Sequence, residues 1–275
     1  MTAVAQSARL AGDVQVGRRI RWAVLDTLTV AQRNLTVWRR VPAYLVFTVV
    51  QPVMFTLLFR YVFGGAIHTG HGGYVDFLMP GVIGQTAAFA SIGTAIALAQ
   101  ELKKGVIDRF RSMPMARSAV LAGRLVADGG RMLVTILVII AVGYAVGFRF
   151  SGGAGPAIAM IALAVLFGLV ICCVSAYIGL AIKDEESVQA FGMIWLFPLT
   201  FVSSAFVPIA SMPGWLQAFA NNQPVTIVID ALRTLALGSR TAGPMGPHLW
   251  ESLAWLAGIL AVFAPLAVRA YRRVG

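Results

Sequence analysis

Six stretches of 17 residues or more contain no Asp, Glu, Lys or Arg, at 41–59, 77–100, 132–148, 150–182, 187–229 and 252–268. A hydrocarbon core of about 30 Å takes roughly 20 apolar residues in helix, because lipid offers no partner to an open backbone amide. Runs of this length and number make the chain a polytopic membrane protein. With 59% hydrophobic and only 12% charged residues, it exceeds what a soluble domain of this size accommodates. The formal net charge of +11 does not point to nucleic acid, since the basic residues flank the apolar runs instead of forming one soluble face.

Those basic residues set the direction of the spans, because short positive loops stay in the cytoplasm. Arg9, Arg18, Arg19, Arg21, Arg33, Arg39 and Arg40 precede the first run, and Lys103, Lys104, Arg109, Arg111, Arg117 and Arg124 follow the second. Lys183 and the tail residues Arg269, Arg272 and Arg273 fall on the same side. Opposite them stand Arg60, Arg149, Arg233 and Arg240, with Arg131 inside a span. The expected fold is all-α and multi-pass in the cell membrane, both termini cytoplasmic. Six transmembrane helices are expected at about 41–63, 77–99, 126–147, 157–181, 188–206 and 251–268. They form one transmembrane domain, 41–275, behind a cytoplasmic arm, 1–40. No apolar core of signal-peptide length occurs in that arm, so a cleaved leader is not expected.

The run 187–229 is long enough to cross twice, but a seventh span would carry Arg269, Arg272 and Arg273 outside. Pro208, Pro213 and Pro224 also break its second half, and each proline removes a helical donor that lipid cannot replace. One span followed by an external re-entrant pair at 213–237 is therefore expected, its pieces at 213–220 and 225–237. Asp230 and Arg233, three apart on the second piece, share a helical face and can pair. Asp128 and Arg131 do the same near the cytoplasmic end of the third span. In the arm, Val24, Leu28, Ala31, Leu35 and Trp38 recur at steps of four and three, the stripe of an amphipathic helix in the cytoplasmic interface.

Little else on the chain suggests site chemistry. Cys172 and Cys173 are adjacent inside an apolar run, where packing is the simplest account. His68 and His71 lack a nearby carboxylate or thiol, and no metal site is expected. No His falls within a span and no Gly-x-Ser-x-Gly elbow occurs, which sets an intramembrane enzyme far below transport.

The connection after the second span is unlike a tether. Within 101–114, Val106, Ile107 and Phe110 fall at helical spacing among Glu101, Lys104, Asp108, Arg109 and Arg111. Such a short amphipathic helix can dock in a groove on another protein, with Phe110 as anchor and the arginines as a charged rim. A snorkelling interfacial loop fits the same pattern.

Several segments resemble the membrane subunits of ABC type-2 exporters, in particular the daunorubicin-resistance type of drug and lipid permeases. Gln51-Pro-Val-Met-Phe-Thr-Leu-Leu-Phe59 with Tyr61-Val-Phe-Gly-Gly65 looks like the first span of that family. Tyr74-Val-Asp-Phe-Leu-Met-Pro80-Gly81 resembles the start of its second. Lys104-Gly105-Val-Ile-Asp108-Arg109-Phe110-Arg111-Ser112-Met-Pro114 is similar to its cytoplasmic coupling segment, the most specific of these likenesses. Phe206-Val-Pro208, Met212-Pro213-Gly-Trp215-Leu and Asn222-Gln-Pro224-Val-Thr resemble its external re-entrant region.

The resemblance implies a permease subunit that exports an amphipathic or hydrophobic drug or lipid, a role linked to efflux and antibiotic resistance. ATP and Mg2+ belong on a separate ATP-binding cassette subunit, and no cofactor is expected on this chain. The sequence contains no Gly-x-x-x-x-Gly-Lys-Ser/Thr phosphate cradle, and only seven residues follow the sixth span. A second permease chain, the same or homologous, would complete a path lined by the first, second and fifth spans. Lining candidates are Thr48, Gln51, Gln85, Thr86, Ser91, Thr94, Phe201, Ser203 and Ser204, although small polar residues also mediate helix packing in lipid. The competing reading is a proton-driven secondary exporter, which calls for an ionisable group near the membrane centre; the six charge-free runs offer none.

Overall fold

Backbone amides in apolar sequence have only one another to bond, and the observed elements are helical accordingly. The computed structural model describes residues 42–65, 73–105, 117–238 and 245–273, with side chains described except at 42–48, 117–122, 245 and 272. Helix α1 (Pro42–Leu58) runs on into a π-helical turn, Phe59–Phe63. It is followed by α2 (Tyr74–Lys103), α3 (Arg117–Ala145), α4 (Ala154–Ile182) and α5 (Glu185–Phe201). A short 3-10 turn at Ile209–Ser211 leads to α6 (Gly214–Asn222), α7 (Pro224–Leu237) and α8 (Met245–Arg273). No strand occurs among the described residues. The expected arm helix, His68, His71, the Thr48 side chain, and Asp108, Arg109, Phe110, Arg111, Ser112 and Pro114 lie outside the described residues.

Among the described residues, four helices are long and apolar enough to cross a bilayer: Tyr74–Lys103, Gly123–Ala145, Ala154–Ile182 and Gly246–Tyr271. Three of these, α2, α3 and α8, outrun their charge-free stretches because charged residues complete their end turns, as Glu101 and Lys103 do on α2 and Arg124 and Asp128 on α3, whereas α4 stays within its own. Helix α5 departs from expectation in the other direction, ending at Phe201 instead of running to 206. Its last turn contains Pro198, and beyond it the Ser203 hydroxyl bonds the Thr200 carbonyl at 2.5 Å and receives the Ala205 amide at 3.1 Å. A serine that bonds its own neighbouring backbone in this way competes with the helical ladder.

Helix α2 is the axis of the bundle. It packs most extensively on α4 and also meets α5, α7, α3 and α1, while α8 leans on α4 and α7. Close approach depends on missing side chains. A Cβ at Gly179 of α4 would collide with the Ala95 carbonyl of α2, and one at Gly81 of α2 with the Ala205 carbonyl. Around them Leu78, Met79, Ile83, Phe167, Ile229 and Leu232 are fully buried. Helix α7 is buried on nearly every side, whereas only 11% of the most apolar window of α8 is covered.

Two end structures hold the bundle's connections. The Arg149 guanidinium donates to the carbonyls of Tyr144 (2.6 Å) and Phe148 (2.7 Å), at and just beyond the end of α3. At the other end only Lys183 and Asp184 separate α4 from α5. Lys183 adopts the left-handed conformation (φ 67°), and the Asp184 carboxylate caps α5 by accepting from the Ser187 amide (3.0 Å) and hydroxyl (2.8 Å). These hydrogen bonds hold the exposed Asp184 carboxyl below the usual carboxylate range.

Candidate functional site

Polar residues are few here, and the structure gathers them into two nodes between helices. The first lies where α2 and α3 approach the ends of the 104–116 connection. Glu101 of α2 meets Arg124 of α3 at 2.9 Å. One turn further along α3, Asp128 lies 3.9 Å from Arg124 and 3.4 Å from Arg131. Asp128 also receives the Thr94 hydroxyl at 2.7 Å, and Arg131 donates to the Ala90 carbonyl at 3.0 Å. The node reaches α4 because Thr94 Oγ1 lies 3.3 Å from Cys172 Sγ and Ser175 Oγ donates to Ser91 Oγ at 2.8 Å. It reaches α5 through the Gln100 amide, which donates to Glu185 at 2.9 Å.

The second node ties the start of α2 to the turn after α5 and to α7. Arg233 pairs with Asp230 at 2.5 Å, as their spacing predicts, and donates to the Ser204 carbonyl at 2.7 Å and the Phe77 carbonyl at 3.2 Å. Its guanidinium also lies 3.9 Å from the centroid of the Phe77 ring, a cation–π contact strengthened by burial. Asp230 accepts from the Ser204 hydroxyl at 2.7 Å. The Gln223 amide donates to the Val202 carbonyl, and Tyr74 donates to the Phe206 carbonyl at 3.0 Å. Most of the buried polar groups named here have a specific partner, the condition for keeping such groups in an apolar interior, while Gln223 Oε1 and Arg124 Nε make no hydrogen bond among the described residues.

The sequence-named residues fall unequally around these nodes. Ser91 and Thr94 are fully buried between α2, α3 and α4, and Ser203 and Ser204 are buried in the turn after α5. Gln85 is buried on α2, Thr86 returns its hydroxyl to the Val82 carbonyl at 2.7 Å, and Gln51 is exposed on α1. Phe201 is half-buried and stacks on Phe197 at 4.2 Å. In the connection, Lys104 and Gly105 turn the chain out of α2, with Gly105 at φ 65°, where the missing Cβ removes the steric cost. Pro213 directly precedes α6, whose Trp215 is 76% exposed and whose Asn222 amide donates to the Ala218 carbonyl at 2.8 Å; Pro224 opens α7.

Two features escaped the sequence reading. Arg124 counted only as a topology charge; its spacing to Asp128 was visible, but its link to Glu101 depends on the packing of two helices. The second is a column of rings joining α1 to the turn after α5: Phe59 stacks on Phe206 at 4.4 Å, and Phe201 lies 5.1 Å from Phe206. Among the described residues no group of three or more His, Cys, Asp or Glu is placed to hold a metal ion, and both cysteines are free and buried.

Long apolar helices, joined by interior polar nodes, define a polytopic helical membrane protein. Residues 26–237 match the ABC-2 type transporter family, and the chain belongs to that family. It is 35% identical over 250 residues to the daunorubicin resistance ABC transporter permease protein DrrB1 of Streptomyces coeruleorubidus, covering 91% of this chain and 87% of that relative. It is 32% identical to the probable doxorubicin resistance ABC transporter permease protein DrrC of Mycobacterium tuberculosis, over 96% of this chain and 94% of the relative. A more distant relative, the putative transport permease ycf38 of Porphyra purpurea, is 25% identical over 72% of this chain.

Proposed function

We propose that this chain is the membrane-spanning permease subunit of an ABC exporter and moves an amphipathic or hydrophobic drug or lipid outward. The observation that carries the reading is the near full-length match to the Streptomyces resistance permease. ATP and Mg2+ act on a separate ATP-binding cassette subunit, and a second permease chain completes the pathway. In the cell membrane the six spans are α1 with its π-helical turn, α2, α3, α4, α5 and α8. Both termini and the 101–114 connection face the cytoplasm, and α6 with α7 forms the external re-entrant pair. The ATPase subunit engages the connection through Phe110 and the charges beside it. Its nucleotide-dependent movement shifts the helices between arrangements of different affinity for cargo, which is what moves cargo in one direction.

The test is uptake of doxorubicin by inside-out vesicles containing the permease and its ATPase. Uptake should need ATP and stop when Phe110→Asp prevents the ATPase from co-purifying with an inserted permease. Uptake driven by a proton gradient without ATP would overturn the reading in favour of a secondary exporter.

A further inference from the structure

We propose that Arg124 is a positioning residue that locks α2 and α3 into one lever, so that force applied at their connection moves both helices together. The inference rests on the reading that a partner ATPase acts on that connection. Along α2, Ala90, Thr94 and Glu101 are four and seven residues apart and share one face. Along α3, Arg124, Asp128 and Arg131 are four and three apart and share the face opposite. The two faces meet at three levels: Glu101 with Arg124 (2.9 Å), Thr94 with Asp128 (2.7 Å) and the Ala90 carbonyl with Arg131 (3.0 Å). Arg124 is the joint of this ladder, since it also approaches Asp128 at 3.9 Å, and its side chain is only 12% exposed.

An apolar seam between two helices in lipid can slide by a turn at little cost, because one set of methyl contacts replaces another. Charged pairs with fixed partners cannot, and setting register is the best-attested use of such groups. Glu101 and Arg124 flank the connection on its two sides, 23 positions apart in sequence. A pull on the connection therefore reaches this pair within the last turn of α2, beside Leu102, which packs on α4 and α8. Without the pair, the register of α2 against α3 rests on the two remaining rungs alone, and α3 no longer shares in full the movement that α2 passes to α4 and α5. The Thr94–Cys172 and Gln100–Glu185 contacts then carry the movement of α2 alone.

The experiment measures transport per ATP hydrolysed in vesicles containing the permease and its ATPase. Arg124→Gln and Glu101→Gln should each lower that ratio about tenfold, within the range of ordinary coupling energies between sites. The decisive variant is Glu101→Cys with Arg124→Cys, joined by a short thiol-reactive cross-linker; Cys172 and Cys173 are buried and are replaced by alanine as a precaution. The cross-linked protein should regain the wild-type ratio and lose it again when a cleavable linker is reduced. A cross-link that blocks transport would show that the pair must open in each cycle and would overturn the lock. An unchanged ratio in both glutamine variants would overturn it as well. If the unmutated complex shows no ATP-driven transport, the proposed function fails first, which keeps the two failures apart.

Discussion

Arg233 is held by Asp230 on its own helix and by the Ser204 carbonyl and the carbonyl and ring of Phe77, which come from segments remote in sequence. The local part of that arrangement, Asp230 three residues earlier, was legible in the sequence. The Ser204 and Phe77 contacts were not, because nothing in a linear pattern states which turn packs over which helix. Removing one member of such a buried pair leaves a charge without compensation and typically costs about 3 to 5 kcal/mol. Asp230→Ala should therefore destabilise the detergent-solubilised protein by about 3 kcal/mol, read from its thermal unfolding. Asp230→Asn with Arg233→Met, which removes both charges, should recover most of that loss. A single variant as stable as the parent would remove Asp230 from the account of the node.

At the level of the helices, the sequence announced the positions of most elements and misjudged their ends. Charge-free runs mark helices because lipid excludes charge, but helices continue into charged sequence wherever partners exist. Glu101 and Arg124 both lie beyond the expected edges for that reason. The end of α5 was misjudged for a different reason: Ser203 bonds its own neighbouring backbone against the helix and carries no hydropathy signal. Its start is governed by Asp184, whose carboxylate bonds Ser187. Because the folded state holds that carboxyl below the ordinary range, capping is fully present above the unfolded carboxylate pKa of about 4 and is lost as pH falls through the lower folded value. Asp184→Ala should speed hydrogen exchange in the first turn of α5 at neutral pH, and the difference from wild type should fade under more acidic conditions. A difference that persists unchanged at low pH would rule out the carboxylate cap.

For the whole molecule, the direction of insertion follows from the proposed topology and can be read by labelling. Asp184 and Trp215 are both exposed, and the proposed six-span arrangement sets them on opposite sides of the membrane. With the two native cysteines replaced by alanine, a cysteine at 184 should react with an impermeant maleimide only in inside-out vesicles, and one at 215 only in intact cells. Both reacting from one side would break that topology. The chain must also assemble in a particular order. Helix α7 is enclosed by α2, α4 and α8, and of these only α8 follows it in the chain. Until α8 emerges, the nascent protein therefore leaves one flank of α7 without its wall.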